Sequence, residues 1–242
     1  MTRPILLLLC VLTGIARGAN DPPPARPAED PALKKQLEDI DARAARIKDF
    51  TSDFRQEKFT AMLKKPLVSS GTVRVSAASI RWDTRRPEPA VLFSDGRDVR
   101  MYYPGQQLLE VYPIDRRLGD LASSPLPKLN TLREHFTLER AEPGTFRPRE
   151  GRKSLPLRLI PIDEAIREHV EEVRVLLDIE AAHILELEVI DADGDRTRVT
   201  FQNVRLDTGI NPAELALSVP EGTTVSRPLE GKDGSEPDDQ GK

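Results

Sequence analysis

The side chains that could do chemistry in this 242-residue chain are few and scattered. Ser69-Ser70 and Ser123-Ser124 are the paired hydroxyls, but neither lies in a Gly-x-Ser-x-Gly elbow or a phosphate-cradling loop. His135, His169 and His183 have no ligand spacing and no cysteine partner, so they do not make a zinc site. Asp191-Ala-Asp193-Gly194-Asp195 resembles part of a calcium loop, yet it lacks the distal glutamate and has strand pattern on both sides. No acid–base pair, nucleophile or metal set emerges, and no cofactor is implied. The chain reads as a non-enzyme.

The elements around these residues are more telling. From Phe50 to Tyr112 the chain reads as short segments mixing apolar and polar residues: Phe50–Phe59, Gly71–Val75, Ile80–Asp83, Val91–Gly96 and Val99–Pro104. Turn residues such as Lys65-Pro66, Asp95-Gly96 and Pro104-Gly105 punctuate them. Alternation gives each strand one apolar face, so consecutive hairpins build one curved sheet with one greasy side. Strand pattern resumes at Phe136–Glu139 and, after the Gly144–Gly151 loop, at Leu155–Pro161; three strands then follow at Val173–Ile179, Ile184–Ile190 and Arg196–Val204, the last two joined by the Asp191–Asp195 turn. A greasy concave surface without catalytic groups points to carrying something apolar.

Helical spacing appears in three places. Asp30 caps a helix with Pro31 at its first position, and Leu33, Leu37, Ile40, Ala44 and Ile47 form its apolar stripe. Two short helices broken by Pro125 and Pro127 are expected between residues 114 and 133. Asp163 to His169 reads as a short helix or turn.

Both ends differ in composition. Residues 1–18 have a basic start, a leucine-rich run from Pro4 to Ile15 and the small-residue stretch Ala16-Arg17-Gly18, the pattern of a secretory signal. Cys10, the one cysteine, sits inside that run behind Leu7-Leu8-Leu9, so a lipid-modified start is not expected and the processed chain has no disulfide. Residues 19–30 form a proline-rich linker, 31–227 the folded domain, and 228–242 a polar acidic tail with no apolar surface to bury. Without Arg3 and Arg17 the chain carries 34 basic against 40 acidic residues. That balance, with no basic stripe, excludes nucleic acid as the partner.

The ordered features Phe50-x-x-x-Phe54-x-Gln56, Gly71-Thr-Val-x-Val75, Arg81-Trp82, Pro87, Ser94-Asp95-Gly96, Tyr102-Tyr103-Pro104, Asp191-x-Asp-Gly194, Thr200-Phe201, Asn211-Pro212 and Val219-Pro-Glu-Gly222 resemble the periplasmic lipoprotein carrier family of the LolA type. The resemblance spans about Leu33 to Val225. It implies a mainly β, α+β fold: an incomplete antiparallel β-barrel with a helical lid over a hydrophobic cavity. It implies a monomeric periplasmic carrier that takes lipidated proteins from an inner-membrane lipoprotein-releasing transporter to an outer-membrane acceptor. Two readings stay open beside it: a carrier or chaperone for another acyl cargo, and a lipid-sensing adaptor of the same fold. The candidate cavity residues are Phe50, Phe54, Val73, Val75, Trp82 and Phe93, and the candidate lid residues are Leu118, Leu121, Leu126 and Leu129. The family's lid-bonding arginine after the second strand has no counterpart, because that stretch is Ser76-Ala77-Ala78-Ser79.

Cleavage after Gly18 gives a direct test. N-terminal sequencing of the exported form should begin at Ala19; recovery of the intact leader in the membrane fraction would contradict the assignment.

Overall fold

The computed structural model describes residues 30–77, 79–113 and 124–228. Twelve strands form one sheet: β1 (Asp49–Phe59), β2 (Leu67–Ser76), β3 (Ser79–Arg86), β4 (Ala90–Ser94), β5 (Asp98–Tyr103), β6 (Leu108–Pro113), β7 (Phe136–Arg140), β8 (Ser154–Pro161), β9 (Val170–Asp178), β10 (His183–Asp191), β11 (Arg196–Leu206) and β12 (Thr224–Ser226). Their order is β12-β6-β5-β4-β3-β2-β1-β11-β10-β9-β8-β7, and the sheet does not close into a barrel. Two hairpin meanders meet where β1 pairs with β11, Phe54 opposite Phe201. All neighbours are antiparallel except β12, which lies parallel to β6 with Thr224 beside Leu108.

The register sorts side chains into two faces. On one face Val73 stands opposite Trp82, Trp82 opposite Leu92, and Leu92 opposite Met101. Across β1 the same face continues through Phe54 and Phe201, Leu187 and Val199, Val173 and Val189, and Leu157 and Val175. These residues belong to one buried cluster, and α1 (Pro31–Ala44) adds Leu33, Leu37, Ile40 and Ala44 to it. We call this the concave face.

The opposite, convex face of β8–β11 is a ladder of charge. Arg158 and Arg174 both hold Glu172, at 2.7 and 2.5 Å, and Arg174 and Arg198 both reach Glu188, at 3.3 and 2.9 Å. Burial pushes the Glu172 carboxyl up, but its bonds to Arg174 and Arg158 outweigh that and hold it below its ordinary value. So the strands are half-apolar, and only one side of the sheet needs a cover.

The anticipated elements are largely present. Asp30 accepts from the Ala32 amide at 2.9 Å, and Pro31 occupies the first turn. The helix ends at Ala44, which leaves Ile47 outside it. The 114–123 half of the anticipated helix pair, with Leu118 and Leu121, lies outside the described residues, as do 1–29 and 229–242. Its second half is α2 (Leu129–His135). A helical turn spans Glu164–Arg167. Strand β6 is not among the expected segments; Pro104–Gln106 turns the chain and Gln107 takes a left-handed conformation, φ 47°, to begin it.

Local pattern shows little order in the C-terminal segment, yet in the structure it straps the convex face. It starts at Asp49, whose carboxylate accepts from the Thr208 amide and hydroxyl (both 2.8 Å), the Gly209 amide (2.7 Å) and the Ile210 amide (3.2 Å). Ser76 Oγ donates to the Ile210 carbonyl, and Arg81 donates to those of Leu215 and Ala216. The strap ends as β12.

Burial alone would raise the Asp49 carboxyl, but the donors around it outweigh that cost and keep its pKa below the ordinary value. A depressed folded value means a contribution fully present above the unfolded value and lost as pH falls through the folded one. Asp49→Ala should therefore cost about 2 kcal/mol at neutral pH, since several charge-assisted bonds to a buried carboxylate are lost. Paired denaturant titrations should show the gap between wild type and variant narrowing on acidification; a gap constant with pH would contradict this role.

Candidate functional site

The centre of the concave face is aromatic. The Phe54 and Trp82 rings meet edge-on at 4.8 Å, Trp82 lies 5.8 Å from Phe201, and Phe201 meets Phe50 at 6.3 Å. Phe50 in turn contacts the ring of His183 at 5.9 Å. Gly71 makes room for this packing. It stands opposite Phe54, and a Cβ there would lie 1.9 Å from the Asp83 carbonyl oxygen and 2.9 Å from the Phe54 ring. The Phe54 ring can spread over β2 because that position has no side chain.

Five of the six sequence-derived cavity candidates meet on this face: Phe50, Phe54, Val73, Val75 and Trp82 are all in the concave cluster. Phe93 does not join them. It pairs with Arg81, whereas its neighbour Leu92 pairs with Trp82, so Phe93 points to the convex side. There it is buried beneath an Arg100 guanidinium 5.7 Å from its ring, on the face the C-terminal strap crosses. In Val91-Leu92-Phe93 either apolar residue could have faced the cavity, and register selects the leucine.

Sequence reasoning also missed Met101, Phe201, Val199, Leu187 and Leu157, all in the cluster. Alternation groups Val199 with Phe201, and Leu187 with Val189, on one face of each strand, but only cross-strand register shows that this is the face of Phe54 and Trp82. Buried polar groups share the face as well. Glu110 stands opposite Met101 and accepts from the Tyr112 hydroxyl at 2.9 Å, and Gln56 stands opposite Val199.

The cover among the described residues is helical. Leu129 and Leu132 of α2 are buried in the same cluster, and Leu126 packs against it half-buried. Helix α2 has no capping side chain of its own. Asp41 of α1 supplies the cap from a distance in sequence: its two carboxylate oxygens accept from the Leu129 amide at 2.8 Å and the Asn130 amide at 2.7 Å. Arg133 donates back to the Lys34 carbonyl at 3.1 Å. These three hydrogen bonds and the Arg133–Glu38 ion pair at 3.7 Å tie the two helices. At the other side, the Pro125 carbonyl accepts from the Ile184 amide at 2.9 Å. Next to that bond His183 is buried, and desolvation lowers its pKa despite the nearby Asp178 charge. Arg81 takes no part in the cover; its guanidinium serves Asp83 and the C-terminal strap.

Residues 45–214 match the family model described as "Outer membrane lipoprotein carrier protein LolA". An outer-membrane lipoprotein carrier protein of Dechloromonas aromatica is 24% identical over 175 residues, covering 72% of this chain and 79% of the relative. One of the same name from Chromohalobacter salexigens is 22% identical over 183 residues, covering 75% of this chain and 81% of the relative. Among solved structures, an uncharacterized conserved protein from Thermus thermophilus shares the fold with a TM-score of 0.52 at 13% identity, covering 81% of this chain and 99% of that one.

The helix tie has a pH signature opposite to that of Asp49. Burial raises the Asp41 carboxyl above its ordinary value, and the bonds to Leu129 and Asn130 only partly offset it. A raised carboxyl binds its proton more tightly in the folded state, so its contribution to stability declines as pH rises through the folded value. Asp41→Asn should therefore gain on wild type across that rise, while Asp41→Ala, with no acceptor, should be less stable than both at neutral pH. Thermal unfolding of the three proteins from acid to neutral pH checks this; coincident curves would show that the cap is not formed.

Proposed function

The chain belongs to the outer membrane lipoprotein carrier LolA family, and from that premise we propose that it collects lipidated proteins at the inner membrane, shields their acyl chains on its concave face and delivers them to the outer membrane. Members of this family are carriers, not enzymes. The finer reading places the processed chain in the periplasm as a monomer, with 1–18 as cleaved leader, 19–30 as linker, 31–227 as carrier domain and 228–242 as tail. It gives the chain an inner-membrane releasing transporter as donor and an outer-membrane receptor as acceptor.

The observation that carries the reading is the extended apolar floor centred on Phe54, Trp82 and Phe201, covered by α1 and by the two-turn α2 that is capped from α1 by Asp41. Acyl chains in water cost about 0.8 kcal/mol per methylene, so three ordinary chains demand tens of kcal/mol of shielding. A sheet face that is apolar from β8 to β5 supplies it without chemistry. In the closed form α1 and α2 occupy that face. Cargo then takes their place, and α2, a two-turn helix held at its N-terminus by a residue from another helix, is the element that moves. Leu126 and Leu129, with Leu118 and Leu121 of the adjoining segment, are the lid leucines in this account.

Spheroplasts of the producing organism provide the test. Added wild-type protein should release newly made lipoprotein into the soluble fraction as a complex that native mass spectrometry resolves with its acyl chains attached. Leu129→Asp should release far less, because a carboxylate set against acyl chains must be desolvated or protonated. Circular dichroism on the same sample shows whether that variant is folded. Release of no lipoprotein by the wild type would refute the proposal.

A further inference from the structure

The described structure leaves one apolar patch open to water. Its large exposed hydrophobic side chains are Met62 (93% exposed), Leu63, Leu67, Val68 and Val225, and the first four of these share the tip of the β1–β2 hairpin. The hairpin outruns its neighbour. Strand β3 stops pairing at Arg86, opposite Ser70, while β2 continues past it through Ser69, Val68 and Leu67. The concave cluster does not include any of these tip residues.

The turn segment itself carries charge of one sign. Between Phe59 and Trp82 there is no aspartate or glutamate, and Lys64 and Lys65 sit at the turn, both exposed. The acids at the hairpin's base are paired: Glu57, opposite Val68, lies 3.0 Å from Arg55, and Asp195 lies 3.5 Å from Lys58, while the Arg196 guanidinium stacks 5.0 Å over Phe59. The two tip lysines carry positive charge on a chain whose formal net charge is −4.

We propose that the β1–β2 hairpin tip is a contact site for anionic bilayer surfaces, with Met62, Leu63 and Leu67 entering the interface and Lys64 and Lys65 meeting lipid phosphates. A handful of side chains on one narrow turn is far too small for a stable protein–protein interface, which needs roughly 800 Å² per partner. It is well suited to a bilayer, where a thin apolar wedge is buried by the lipid and long lysines reach back to the headgroups. The negative remainder of the molecule is repelled by the same surface, so the tip is presented first. The proposal rests on the carrier reading only for its purpose, since a carrier that loads and unloads at membranes gains from a weak, reversible foothold there.

Vesicle sedimentation tests it, with processed protein and two lipid compositions: phosphatidylcholine alone, and phosphatidylcholine mixed with phosphatidylglycerol. The protein should sediment with the mixed vesicles and much less with the neutral ones. Replacing both Lys64→Gln and Lys65→Gln should lower partition to the mixed vesicles about 30-fold, given the usual contribution of each surface lysine. Met62→Ser with Leu63→Ser should weaken partition to both compositions. These positions are exposed, so the thermal midpoint should not move. No sedimentation by the wild type, or equal partition of the lysine variant, would overturn the proposal. So would a concentration-dependent dimer abolished by Met62→Ser and Leu63→Ser, which would assign the tip to a second copy of the chain. Binding of a fluorescent acyl probe, measured on the same samples, keeps the two readings apart: it should be unchanged in the tip variants, and its absence in the wild type would count against cargo binding while leaving the vesicle result standing.

Discussion

An apolar sheet face cannot be left against water, and this constraint organises the whole molecule. The sheet has twelve strands and stays open, so its concave side cannot be filled by closing upon itself. At roughly 25 cal/mol for each Å² of apolar surface, a face of that size must be covered by something. The described chain meets the need with two helices, and the larger, α1, contributes four buried residues. The rest of the cover is lighter, and it is held to α1 by polar bonds at its ends: Asp41 to the start of α2 and Arg133 to Lys34.

The convex side is organised the opposite way. There the strands carry paired arginines and glutamates, with Glu172 and Glu188 buried but fully engaged. A pair of this kind contributes little net stability, because desolvation offsets much of the attraction. Its effect is on register: a one-residue slip of β9 or β10 would bring acids to the apolar face and valines to water. The C-terminal strap adds rigidity on the same side. Asp49 pins its beginning, Arg81 its middle and the β12–β6 pairing its end. The concave floor is therefore backed by a firm wall, and the lightly held parts belong to the cover.

Much of this was legible in the sequence, for reasons that differ by element. The hairpins of β1 to β5 could be read because alternation and turn residues are local signals. Helix α1 could be read because Asp30, Pro31 and the leucine spacing act within a few residues. What escaped depends on distant partners. The choice between Leu92 and Phe93 is made by pairing with Trp82, and the Phe93 ring is buried instead on the convex side under Arg100. Nothing local marks Asp41, yet its carboxylate caps a helix 88 positions later. The strap has little apolar periodicity of its own, and its course is set by carbonyls offered to Ser76 and Arg81, a pattern composition does not reveal.

The central claim is that acyl chains lie against the floor formed by Phe54, Trp82 and Phe201. Trp82 is the chain's one tryptophan, so its fluorescence reports on that floor alone. Acyl chains brominated at mid-length quench an indole only on close contact. Titration with a brominated acyl lipid should quench Trp82 saturably, with little quenching by the same lipid without bromine. Full binding of the brominated lipid with Trp82 emission unchanged would place the cargo elsewhere and contradict the account.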